Sequence, residues 1–266
     1  MAAVNKRKER LLNEFLLGCD PEFVALTRDG NLINAETYLD SDGEVGTDHG
    51  GFVIELRPKP ARGTYALIKR LQHYFHEGEL PDFVEASGAS LLRAGAWVNA
   101  KNRHIPLGGH IHIGIGMSYV QSQKQAERVQ ALDALTNVLE RLDILPTRES
   151  QTRRQNGHYG QYGDVRGSGN PPHMEYRSMS SWLHAPAVAM VCLTGAKLAA
   201  VDPEGTKTKL QSGTAEFADL KSWFEQYQTK DTNARRVCEK ILAKEHKPLV
   251  MAPDGDVRVR WEELGC

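Results

Sequence analysis

"GGHIHIGIG", residues 108–116, alternates with the two-residue period of a strand and so places His110 and His112 on the same face. Glycines at 108, 109, 114 and 116 wall the pair in. They leave room for something bulky to lie against the sheet. Taken alone, the two imidazoles suit a core, a surface or a zinc site, since imidazole is a common zinc ligand.

Three other stretches put charge on strands in the same manner. In "GCDPEFVAL", Asp20 and Glu22 stand two apart at the start of a strand and share a face. Paired carboxylates repel, and a cation is the usual reason to tolerate them, although a solvent-facing strand end is the bland alternative. In "DHGGFVIELRP", Asp48 precedes Glu55 by seven residues, and Glu55 shares a face with Arg57 among Val53, Ile54 and Leu56. A structural Glu-Arg pair explains one such strand. The pattern recurs in "MEYRSMS", residues 174–180, with Glu175 and Arg177. Two strands presenting carboxylate and guanidinium to one sheet face point instead to hard oxygen ligands for Mg²⁺ and arginine forks for phosphate or carboxylate. No cysteine stands among these ligands, which favours Mg²⁺ or Mn²⁺ over zinc.

Working outward, a short basic helix leads to a strand at 22–27. "RDGNLI" supplies turn chemistry into a second strand, and residues 50–58 form a third, closed by proline. Leu67, Leu71, Tyr74 and Phe75 recur at helical spacing. "GASLLRAGAWVNA" gives one or two strands before the histidine strand. Residues 119–145 form a long amphipathic helix ended by Pro146. Residues 147–173 are too polar and glycine-rich for a core element, so they read as a long functional loop, a candidate lid. A strand at 174–180 and a buried helix, "APAVAMVCLTGAKLA", follow. Two helical patterns, around Phe217, Leu220, Trp223 and Phe224 and around Val237 and Ile241, precede a charged tail. The expectation is one mixed α+β domain over 1–266, with 203–266 a C-terminal helical portion.

The totals set limits. With 33 basic and 34 acidic residues, the net charge of -1 offers no global field for nucleic acid or an anionic membrane. Four scattered cysteines suggest neither a zinc knuckle nor a disulfide framework, so a reducing cytoplasm is expected. The longest apolar run, 185–193, is about half of the roughly 20 residues a membrane span needs. There is no P-loop, no GxGxxG opening a helix and no GxSxG elbow. A bound nucleotide would have to be held by metal and a sheet face.

The ordered set "DPE", "D-x6-E-L-R-P", "GGHIHIG" and "EYR" resembles the carboxylate-amine ligases of the glutamine synthetase and gamma-glutamylcysteine synthetase superfamily, and more narrowly the phiEco32-like, type 2 phage COOH-NH2 ligases. The resemblance runs from about residue 18 to about 186. It implies a glutamine synthetase-like, curved, largely antiparallel sheet forming a funnel, packed by helices, with ATP entering one end and substrates the other. It makes Asp20, Glu22, Asp48, Glu55, His110 and Glu175 the metal ligands. Asp stands at 20 and 48 where the family more often has Glu, which leaves room for a shifted metal or an intervening water. It puts His112 nearer the nucleotide, has Arg177 meet phosphate, and makes His110 and Arg57 cofactor-binding with them. Arg153, Arg154 and Arg166 resemble the arginines that grip substrate, and Tyr159 and Tyr162 would line the same pocket.

The implied reaction is ATP-dependent: a carboxylate attacks the γ-phosphate to give an acyl phosphate, and an amine displaces phosphate. Small-molecule or peptide acids and amines are the implied partners. No nucleic acid or membrane partner is expected, and larger relatives assemble into rings, so a homo-oligomer is open. The location expected is the cytoplasm, the host's if the chain is phage-encoded. Two alternatives stay open: a metal-dependent kinase or phosphohydrolase on the same fold, and a non-catalytic phage protein with a decayed ligase fold.

Overall fold

The computed structural model describes residues 15–114, 123–156, 159–168, 173–211, 216–226, 231, 233–234, 236, 238 and 255–262. Its strands are β1 (Leu16–Leu26), β2 (Val45–Asp48), β3 (Val53–Leu56), β4 (Leu91–Arg93), β5 (Trp97–Asn99), β6 (His104–Pro106), β7 (Gly109–Gly114), β8 (Val165–Ser168) and β9 (His173–Tyr176). Seven of them form one sheet in the order β2-β3-β1-β7-β9-β8, with β4 also on β1. Every pairing is antiparallel. The mixed fold with a large antiparallel sheet expected from the sequence is what forms.

Period-two alternation gives this sheet two unlike faces. Leu17, Cys19, Phe23 and Ala25 of β1 enter the main core with Ile54, Leu56, Ile111, Ile113, Met174 and Tyr176. Helices cover that face. Thr64–His76 (α1) buries Leu67, Ile68, Leu71, Tyr74 and Phe75 along one stripe, and the next helix is Glu79–Ser87 (α2). Gln123–Arg141 (α3) contributes Leu132, Leu135, Val138 and Leu139 to the same core. Beyond Thr147–Asn156 (α4), the helix Pro186–Val201 (α5) is apolar and buried almost all round. Its one charged residue is Lys197, yet among the described residues no single helix is long and apolar enough to cross a membrane. Pro203–Leu210 (α6), Phe217–Glu225 (α7) and Val257–Glu262 (α8) complete the order. Trp182, Trp223 and Trp261 are fully buried.

The opposite face divides along β1. Val24 and Leu26 meet a second small core, with Leu32, Val53, Val98, Ala100, Ile105 and Leu107, so the β5–β6 hairpin closes that end. Gly18, Asp20 and Glu22, further back on the same face, are left for other purposes.

Two expectations are corrected. No second strand follows the Asp29-Gly30 turn: Leu32 makes only an isolated bridge to Leu26, and Asn34 then caps the 3-10 turn Ala35–Thr37, its side chain accepting from the Glu36 amide at 3.0 Å. The stretch 147–173 is not a loop throughout, because α4 and β8 occupy much of it. α4 has no apolar stripe; what it buries are Ser150 and Arg153. The basic segment before residue 15, Gly116 and the pattern around Val237 and Ile241 lie outside the described residues.

Candidate active site

Strand register brings the charged residues of four separate motifs into neighbouring rungs. Glu22 on β1 stands opposite Glu55 on β3, and Asp20 stands opposite His110 on β7. His112 is flanked by Gly18 on one side and Glu175 of β9 on the other, and Glu175 in turn faces Arg166 of β8. Residues directly opposite in an antiparallel pair hold their Cβ atoms about 5 Å apart. Side chains of this length therefore converge.

They converge in two clusters. Asp20, His112 and Glu175 each offer a ligand atom, all within 4.8 Å of one another, and Glu22, Asp48 and Glu55 do the same. His110 lies between the clusters. Its Nδ1 is 3.4 Å from Asp20 Oδ1 and 3.7 Å from Glu175 Oε1, and its Nε2 is 3.7 Å from Glu22 Oε1. The Tyr159 hydroxyl bonds that same Nε2 and donates to Glu22 Oε1 at 3.2 Å. His110 is one of the metal ligands that the resemblance implies, and His112 completes the closest grouping with Asp20 and Glu175 beside it.

Electrostatics make this arrangement costly as it stands. Burial pushes the Glu22 carboxyl up, although His110 and the Gly108 amide, 2.5 Å from Oε2, oppose it. Burial, with the charges of Glu22 and Asp20, pushes Glu55 up to about 7 against the pull of Arg57. Asp20 is also buried, but the surrounding His110 and His112 outweigh that and hold it below the usual carboxylate range. Asp20 Oδ1, His110 Nδ1, His112 Nε2 and Glu175 Oε1 are buried without an aligned hydrogen-bond partner. Buried polar atoms that face one another unsatisfied, with only oxygen and imidazole donors, fit a hard divalent cation such as Mg²⁺ or Mn²⁺.

The arginines divide into two groups. Arg166 bonds Glu175 while its side chain stays 56% exposed, and Arg177 Nε lies 3.3 Å from the other oxygen of the same carboxylate. Both stand at the cluster's edge. Arg57 bonds Glu55 through Nε at 2.9 Å and Nη2 at 2.7 Å, and donates from Nη1 to the carbonyls of Ser41 and Gly43. Its guanidinium lies over Gly46, where a Cβ would come within 1.9 Å of Nη1.

Arg153 and Arg154 do not present their guanidinium groups to the clusters. Arg153 is wholly buried, donating to the carbonyls of Ser178 at 3.1 Å and Arg177 at 3.0 Å, with Tyr159 stacked on it. Arg154 forks onto Glu140 of α3 at 2.9 and 2.5 Å and covers Tyr162. Successive residues of α4 point to different sides: Arg153 stands behind Tyr159, where its charge still favours the Glu22 carboxylate, and Arg154 turns to α3.

The glycines also sort differently from expectation. A Cβ at Gly108 would meet His110 Nε2 at 2.4 Å and one at Gly109 would meet Trp182 at 2.5 Å, so these two serve internal packing. Gly18 and Gly114 instead border a cavity. Together with Leu16, Arg57, Pro58, Pro60, His112 and His173 they line a pocket of about 400 Å³ beside Asp20. His173 was not singled out from the sequence, though its place two residues before Glu175 puts it on the same strand face.

Comparison with solved structures finds the same fold at low identity. A bifunctional glutathione synthetase from Pasteurella multocida aligns with a TM-score of 0.52 and 11% identity over 97% of this chain and 50% of its own. The ligase PafA, solved in complex with the prokaryotic ubiquitin-like protein Pup, aligns with a TM-score of 0.55 and 12% identity over 88% of this chain and 64% of its own. The chain thus spans half to two-thirds of the length of these structures. Comparison with curated proteins gives no match. The profile of the phage phiEco32-like COOH.NH2 ligase-type 2 family matches residues 17–249, most of the chain, and the chain belongs to that family.

Proposed function

We propose that the protein is an ATP-dependent carbon-nitrogen ligase that joins a carboxylate to an amine through an acyl phosphate. The observation that carries this reading is the convergence of two ligand clusters and two arginines on the open end of one sheet face. Asp20, His112 and Glu175 would hold one divalent ion, and Glu22, Asp48 and Glu55 another. Such ions supply charge neutralisation at the phosphates. The substrate carboxylate oxygen bonds to the γ-phosphorus as the bond to ADP breaks, and the amine nitrogen then bonds to the acyl carbon as phosphate leaves.

The chain's own residues do the rest. Arg166 and Arg177, held on either side of Glu175, turn guanidinium charge toward the transferred group. Tyr159 keeps His110 and Glu22 in place; burial pushes its phenol far up, so it donates a hydrogen bond and does not act as a base. The pocket beside Gly18, apolar at Leu16, Pro58 and Pro60 and cationic at Arg57, suits a nucleotide in size and lining. Small molecules or peptides supply the acid and the amine. A reducing cytoplasm suits the buried thiols of Cys19 and Cys192.

Phosphate release from ATP with Mg²⁺, measured against pooled acids and amines, tests the reaction. Release that needs both an acid and an amine is expected. Full release with water or an alcohol as sole acceptor would establish a phosphohydrolase or kinase instead. The pocket has its own test, because a Cβ at Gly18 would already sit 3.3 Å from that of His112 and 3.5 Å from Pro60. Gly18→Leu should raise the nucleotide KM by about tenfold or more, through loss of contact area in a pocket of this size. An unchanged KM would place the nucleotide elsewhere.

A further inference from the structure

The two ring nitrogens of His112 face different surroundings. Nε2 turns to the Asp20–Glu175 cluster, 2.8 Å from Asp20 Oδ1 but not aligned as a hydrogen bond. Nδ1 turns to His173, 2.7 Å from its Nε2, with the ring centroids 4.7 Å apart and the planes tilted by 44°. His173 begins β9, is half-buried and shares the pocket with His112. A neutral imidazole carries one N–H. For Nε2 to offer a lone pair to a metal, that hydrogen must sit on Nδ1, where it needs an acceptor. Among the described residues, His173 Nε2 is the atom at bonding distance.

We infer that His173 is a positioning residue: it accepts from His112 Nδ1–H and so fixes the tautomer and ring orientation in which His112 Nε2 ligates a metal. The inference rests on the metal reading of the Asp20–His112–Glu175 cluster. The two tautomers are linked. With its Nε2 accepting, His173 carries its own hydrogen on Nδ1. Removing the acceptor frees the His112 ring to turn or to protonate Nε2 against Asp20, and either change withdraws a ligand. Loss of such an outer partner typically lowers metal affinity by about 10- to 100-fold.

The test uses the full chain and Mn²⁺ alone, with free Mn²⁺ followed by electron paramagnetic resonance. Wild type, Asp20→Asn, His173→Leu and His173→Gln are titrated in parallel, and the His112 ring nitrogens are followed by NMR with Mg²⁺ in place of paramagnetic Mn²⁺. His173→Leu is expected to bind Mn²⁺ about 10- to 100-fold more weakly than wild type. His173→Gln, whose amide oxygen can accept from Nδ1–H, should recover most of that loss. The Mg²⁺-loaded wild type should show the hydrogen on His112 Nδ1. A His173→Leu variant within twofold of wild type, where Asp20→Asn fails, overturns the positioning role alone, as does a glutamine variant no better than leucine. A wild-type chain that takes up no Mn²⁺, or an Asp20→Asn variant that binds as wild type does, overturns the metal reading and the inference with it.

Discussion

Glu55→Gln is expected to lower ATP turnover by on the order of 10²- to 10³-fold, the usual cost of removing one charge-stabilising group, while making the metal-free protein more stable. The two effects have one cause. Glu55 lies opposite Glu22 in a buried setting, and burial with the charges of Glu22 and Asp20 lifts its carboxyl to about 7. The unfolded chain titrates it at the ordinary 4.5. Below that pH both states are protonated and nothing is lost. Between 4.5 and 7 the folded state binds more protons, so stability falls as pH rises through this window. Above 7 the whole cost is present, on the order of 1–3 kcal/mol. Melting curves in EDTA should therefore decline for wild type from pH 5 to 7.5 and stay flatter for Glu55→Gln. Mg²⁺ should restore wild type at pH 7.5 and help the variant far less. Parallel declines in the two proteins would show that Glu22 and Glu55 do not crowd one another.

Why the sheet face was legible, and the substrate arginines were not, follows from how each is encoded. Alternation in "GGHIHIG", "VIELRP" and "MEYR" fixes which residues share a face, and that parity survives folding. The motif order accordingly pointed to Asp20, Glu22, Asp48, Glu55, His110 and Glu175, and the sheet draws these together with His112 on one face. Which histidine meets which carboxylate was not legible there, since register decides it: Glu175 pairs with His112, one rung away from the Asp20–His110 rung. The segment from 147 was misread for a different reason. Helix recognition rests on an apolar stripe, and α4 buries Ser150 and Arg153 instead. Its anchors are polar and distant in sequence: Glu149 accepts from the Ala96 amide at 3.0 Å, and Arg153 reaches the carbonyls of Arg177 and Ser178 just after β9. No local pattern announces such partners.

Arg153→Met should therefore cost stability before it costs substrate affinity. The guanidinium supplies the donors for the Arg177 and Ser178 carbonyls and underlies the Tyr159 ring that steadies His110 and Glu22. Methionine keeps much of the aliphatic volume but leaves two inward carbonyls without these donors, at about 1–3 kcal/mol each. A loss of about 3–5 kcal/mol is expected, which lowers the melting temperature of a chain this long by on the order of 10 °C. Arg154→Met should also destabilise, because it strips a buried Glu140 of its fork. Arg166→Met, with its side chain largely in solvent and Arg177 still beside Glu175, should lower the melting temperature less than Arg153→Met does and lose turnover as well. The contrast separates two roles that the sequence placed together. Were Arg153→Met to melt as wild type does while the acid's KM rose tenfold, Arg153 would be gripping substrate, and the burial that sets it apart from Arg166 would have to open in the working enzyme.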